Sequence, residues 1–134
     1  MDPVEIDLRA IARGTITAPA GCGKTQLIAH ALANHRDAKP ILVLTHTNAG
    51  VAALRGRLEL AGVPTGAYRL STVDGWAIRL ISTFPGRSAR DPEILRLSTP
   101  ARDYPAIREA AWKLLQAGHV NDVLKASYAH LVVD

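Results

Sequence analysis

Residues 18–25 of this 134-residue chain read Ala-Pro-Ala-Gly-Cys-Gly-Lys-Thr, and they hold its plainest chemistry. Gly21 and Gly23 let the backbone turn tightly, so that successive amide N–H groups converge on one point. Lys24 sets a positive charge beside them, and the Thr25 hydroxyl is a hard oxygen ligand of the kind Mg²⁺ takes. Amides, an ammonium group and the positive end of a following helix together make a site for polyphosphate. The pattern is that of a P-loop: Gly-Lys-Thr is intact, and Ala18 stands in place of the usual first glycine. It implies a nucleotide polyphosphate with Mg²⁺ as ligand, with Ala18, Pro19, Ala20, Gly21, Cys22, Gly23, Lys24 and Thr25 around the phosphates. Cys22, the only cysteine, falls at a variable position where a small residue fits the turn, and its solitude excludes an internal disulfide or a cysteine-built zinc site.

Mg²⁺ held by one hydroxyl calls for a carboxylate at the tip of a neighbouring apolar strand. Asp134, directly after Leu131, Val132 and Val133, suits that role. Lys24 and Asp134 are therefore the expected catalytic pair, and Thr25 and Asp134 the expected metal ligands.

These residues need elements to hold them. Residues 15–18 are a short β-prone run, and Leu27, Ile28, Ala31 and Leu32 recur at helical spacing across 26–34, so the loop is predicted to join a strand to a helix. Residues 41–44 are uninterruptedly apolar, as in a strand buried on both faces of a parallel sheet. A second helix puts Val51, Leu54 and Leu58 on one face, turns Arg55, Arg57 and Glu59 elsewhere, and stops at Gly62 and Pro64. Residues 67–70 read as a weaker strand, Ser71 and Thr72 as a turn, and 74–82 as a helix that Asp74 would cap. The stretch 85–105, with Pro85, Pro92, Pro100 and Pro105, reads as a long loop or an irregular insertion. Helical patterns resume at 106–117 and 121–127, and 129–134 is an apolar strand ending in a carboxylate. Alternating strands and helices over a length of about one domain predict an α/β domain, residues 1–134, around a parallel sheet flanked by helices.

Composition bounds the partners. A hydrophobic fraction of 48% with 21% charged residues is ordinary for a globular protein. No stretch approaches the ~20 apolar residues of a membrane span. The acidic start MDPVEID is unlike a secretory signal, so a cytoplasmic protein is expected. The net charge of +4 is unevenly spread: residues 38–90 hold seven basic side chains against two acidic ones, and the remainder sums to −1. Such an excess suits an anionic partner, and for Arg55 and Arg57 taken singly a solvated helix face serves equally well.

Taken in order, these motifs make the chain resemble the N-terminal ATP-binding domain of UvrD/Rep-type superfamily-one DNA helicases over nearly its whole length. The family loop A-x-A-G-x-G-K-T is matched by Ala18, Ala20, Gly21, Gly23, Lys24 and Thr25. Motif Ia, V-T-F-T-N-K-A-A followed by an arginine, resembles Leu44, Thr45, His46, Thr47 and Asn48 leading to Ala52, Ala53 and Arg57. Motif Ib, G-T-F-H-G, is echoed by Ser71, Thr72, Val73, Asp74 and Gly75. Val133 and Asp134 resemble the opening of V-D-E-x-Q. The sequence departs from the family in three places: no glutamine motif is visible in residues 1–14, His46 replaces an aromatic, and Asp74 stands where histidine is usual.

The resemblance implies a RecA-like P-loop NTPase core, here a partial domain cut at the Walker B aspartate. It implies ATP hydrolysis coupled to translocation on DNA or its unwinding, and a path for single-stranded DNA along Thr45, His46, Asn48 and Thr72. Some compact UvrD-like proteins act beside a nuclease in phage defence, which makes a nuclease a candidate partner. The glutamate that positions the attacking water would follow Asp134, and the family's transition-state arginines belong to later motifs, worth ~10³ to 10⁵ in rate. The 134 residues alone are therefore expected to bind Mg-nucleotide weakly and to hydrolyse it negligibly. Two alternatives stay open: a P-loop kinase with Arg87, Arg90 and Arg96 on a lid, and a non-catalytic nucleotide-binding module.

Overall fold

The computed structural model describes residues 6–17, 23–88 and 92–134. Its centre is β1 (Ile41–Thr45), every residue of which is buried. Among the described residues the sheet has three strands, with β1 between β2 (Tyr68–Thr72) and β3 (His130–Val133), and both pairings are parallel. The middle strand of a parallel sheet is bonded on both edges and covered on both faces, which is why Ile-Leu-Val-Leu shows no polar alternation.

Parallel strands need crossover connections, and helices supply them. Helix α1 (Lys24–Ala33) precedes β1, and α2 (Asn48–Leu60) carries the chain from β1 towards β2. Helix α3 (Val73–Thr83) follows β2 without an intervening loop. After it come the short α4 (Pro85–Ser88), a 3-10 turn at Pro92–Arg96, α5 (Pro100–Gln116) and α6 (Asn121–Ser127). The end of α2 shows how local sequence shapes the fold. Gly62 adopts φ 70°, the Gly62 N–H donates to the Glu59 carbonyl and the Val63 N–H to the Leu58 carbonyl, both at 3.0 Å. Those crossed bonds close the helix and drop Val63 into the core.

The two faces of the sheet are covered differently. On one, Ile41 and Val43 pack with Ile28 and Leu32 of α1 and with Leu54 and Leu58 of α2. Beyond the other, α3 and α5 make a core of their own from Leu80, Ile81, Ile107, Ala110 and Leu114. An apolar cavity of about 520 Å³ is lined by Leu42, Leu44 and Leu131 of the sheet and by Trp76 and Trp112 of the helical layer. The N-terminal segment is tied to the first core by Arg9, which pairs with Asp7 at 2.9 Å and donates to the carbonyl of Asn34 just past α1. No helix among the described residues is long and apolar enough to cross a membrane.

The predicted α/β architecture, the buried strand at β1, the helices α1, α2 and α6 and the terminal strand are all present. Four local expectations need correction. Thr15, Ile16 and Thr17 form no strand, and Ala18 lies outside the described residues. A cavity of about 460 Å³ lies between this segment and β3, so these β-prone side chains have no ladder to join. Ser71 and Thr72 are not a turn but the last residues of β2. The cap of α3 is the Thr72 hydroxyl, which accepts from the Gly75 N–H at 2.9 Å, and Asp74 instead turns to α5. The stretch 85–105 is not irregular throughout, since α5 begins at Pro100 rather than near 106. Proline at the first helical position lacks only an N–H that would go unbonded there. Asp103, 1% exposed, then closes that start by accepting from the Thr99 N–H at 3.0 Å while its own N–H donates to the Thr99 carbonyl at 2.8 Å. Pro105 sits inside α5, where burial of Ile107, Ala110, Ala111 and Leu114 offsets its missing bond.

Candidate nucleotide and nucleic-acid site

All three strands run the same way, so Thr72, Thr45 and the residue after Val133 emerge along one edge of the sheet, the edge at which open α/β sheets bind ligands. Ala18, Pro19, Ala20, Gly21 and Cys22 of the expected phosphate loop lie outside the described residues. Its second half is described. Gly23 has φ 86°, ψ 18°, a left-handed conformation open to glycine at little cost, and it turns the chain directly into α1. Lys24 is the first residue of α1 and is exposed, Thr25 behind it is half-buried, and the first turn holds no acidic residue. The N–H groups of that turn have no partners within the helix, and with the helix dipole they favour an anion.

At β3, the Asp134 N–H donates to the Leu44 carbonyl at 2.8 Å, which extends the β1–β3 ladder past the strand and fixes where the carboxylate leaves the sheet. The structure brings Lys24 and Asp134 onto the wall of one cavity, the 460 Å³ space that Gly14, Thr15, Ile16 and Val133 also line. Thr25 is next to Lys24 but outside that lining. An ammonium, a carboxylate and a nearby hydroxyl fit a Mg-nucleotide in chemical type, since Mg²⁺ takes oxygen ligands and is commonly held by one or two carboxylates together with phosphate. No cluster of three or more His, Cys, Asp or Glu side chains occurs among the described residues, and a magnesium ion shared with phosphate requires none.

The residues expected on a nucleic-acid path stand further along the same edge. Thr45 and Thr72 are register partners at the ends of β1 and β2. Thr45 is buried, Thr72 half-buried, and His46 and Asn48 are exposed. The geometry gives Thr47, Thr72 and Gly75 of these motifs a structural role, and adds Gly50 to them. Thr47 caps α2 by accepting from the Gly50 N–H at 2.9 Å, just as Thr72 caps α3 through Gly75. A Cβ at Gly50 would lie 2.9 Å from the Thr45 Oγ1, and one at Gly75 would lie 2.9 Å from the Thr72 Oγ1, so both glycines leave room for a hydroxyl. The signal was present as Thr-x-x-Gly, at 47–50 and again at 72–75. Two capped helix N-termini thus stand side by side over adjacent strand ends.

The acidic residue in this region is paired. Asp74, in the first turn of α3, receives Nε of Arg108 at 2.6 Å on one oxygen and Nη2 at 3.0 Å on the other. The hydrogen-bonded guanidinium holds the Asp74 carboxyl below the usual carboxylate range, so it is ionised at neutral pH.

Comparison with protein-family models, with curated proteins and with solved structures gives no match to this chain.

Proposed function

We propose that this chain is the ATP-binding part of a UvrD-like DNA helicase with a RecA-like core, a protein that as a whole couples Mg-ATP hydrolysis to translocation on DNA or its unwinding. The observation that carries this reading is that Lys24 and Asp134, far apart in sequence, line one cavity at the edge of the sheet where Thr45 and Thr72 also emerge. In this reading Lys24 and the first amides of α1 hold the phosphates, and Thr25 and Asp134 face the magnesium ion, which when bound offsets charge on the phosphate oxygens. The Asp134 N–H donates to the carbonyl of Leu44, the residue before Thr45, so in this reading the nucleotide and DNA residues share one end of the sheet. His46, Asn48 and Thr72 meet the strand of DNA, and the basic residues around them draw it in regardless of sequence.

Fluorescence anisotropy of a labelled single-stranded oligonucleotide tests this. Binding should weaken steeply with salt, by about 10-fold or more between 50 and 200 mM for a few neutralised phosphates, and should differ little between base compositions. Salt-insensitive or absent binding would count against the proposal.

A further inference from the structure

Arg108 belongs to none of the motifs above, yet it is the residue that decides the charge next to Thr72. It leaves α5 between Ile107, which is fully buried, and a helix face that packs Ala110 and Ala111 against α3, so its backbone is held in place. Its side chain remains 55% exposed while that of Asp74 is 28% exposed. Two guanidinium nitrogens engage both carboxylate oxygens of Asp74, which leaves Nη1 for a phosphate oxygen. Without this partner Asp74 would present a bare carboxylate in the first turn of α3, beside the Thr72 cap, where it would repel any phosphate brought to that end of the helix.

We infer that Arg108 is a positioning residue for nucleic acid: by neutralising Asp74 it opens the N-terminus of α3 to the phosphate backbone, and Asp74 in turn restrains Arg108 from holding that backbone too tightly. The inference rests on the single-strand reading above. A paired guanidinium and carboxylate contribute no net charge, whereas either one alone changes the local charge by a full unit, with opposite sign. A strut that merely ties α3 to α5 has no such sign.

The test uses the full chain, a labelled single-stranded oligonucleotide at low salt, and the variants Arg108→Gln, Asp74→Asn and the double variant, with circular dichroism melts to show that each is folded. At the separations of neighbouring groups, one unit of charge is expected to change affinity by about 3- to 10-fold. Arg108→Gln should weaken binding by that factor, Asp74→Asn should strengthen it, and the double variant should return to within about twofold of the parent. If Arg108→Gln does not fold, Arg108→Lys keeps the charge without the two-pronged geometry and should bind within about threefold of the parent. Loss of affinity in both single variants, or no change in either, overturns the inference while leaving the single-strand reading intact. Absence of binding by the parent chain overturns both.

Discussion

Replacing Lys24 with alanine is expected to weaken Mg-ATP binding about 10- to 100-fold, because a charge-assisted hydrogen bond to phosphate contributes roughly 1.5–3 kcal/mol and each 1.4 kcal/mol is tenfold. The position of the residue makes the effect specific. Lys24 is the first residue of α1, directly after the left-handed Gly23, and is exposed. Its side chain is outside both hydrophobic cores, so stability should change by no more than about 0.5 kcal/mol. Lys113→Ala is the control, since that ammonium pairs with Glu109 at 3.0 Å on α5 and is remote from the cavity. Titration of a fluorescent ATP analogue should separate the two: a large loss for Lys24→Ala, none for Lys113→Ala. Equal affinities for Lys24→Ala and the parent would remove the phosphate role.

Leu58→Ala is expected to lower the free energy of unfolding by about 2–5 kcal/mol, the range for a fully buried leucine whose site cannot collapse completely. Leu58 is 0% exposed and packs among Ile28, Leu32, Ile41 and Val43, so it helps hold α2 against β1. Leu60 has the same side chain two residues on but is 91% exposed. Leu60→Ala should therefore stay within about 0.5 kcal/mol of the parent. Against a total stability of about 5–15 kcal/mol for a domain, the first change is severe. Because β1 ends at Thr45, loosening it also loosens the edge on which the site stands. Urea unfolding of the two variants decides, and comparable midpoints would mean that α2 is not packed as described.

What could be read in advance was whatever depended on short-range chemistry. The apolar run of β1 announced burial on both faces, Gly62 announced the end of α2, and Asp134 could be placed at a strand tip from three apolar residues before it. What could not be read depended on partners distant in sequence. Residues 15–17 look like a strand, but a strand also needs a neighbouring edge, and a cavity intervenes. Asp74 looks like a cap, yet the Thr72 hydroxyl reaches the Gly75 N–H and Arg108 claims the carboxylate. No spacing rule links positions 74 and 108, which meet only because α3 packs on α5. Pro100 and Pro105 signalled irregular chain, and a buried carboxylate at Asp103 instead made the first of them a helix start. At the site, Lys24 and Asp134 were legible as a pair from residue type and order, whereas the other walls of the cavity they line, Gly14, Thr15 and Ile16 among them, were not.

In the proposed function one ligand, a magnesium nucleotide, sits between the start of α1 and the tip of β3. Amide ¹H–¹⁵N spectra of the full chain, titrated with a non-hydrolysable ATP analogue and Mg²⁺, address it directly. Resonances of Gly23, Lys24, Thr25 and Asp134 should shift together along a single binding curve, and leaving out Mg²⁺ should diminish the change at Asp134 most. Shifts confined to the apolar cavity around Trp76 and Trp112, or none at Lys24 and Asp134, would contradict it.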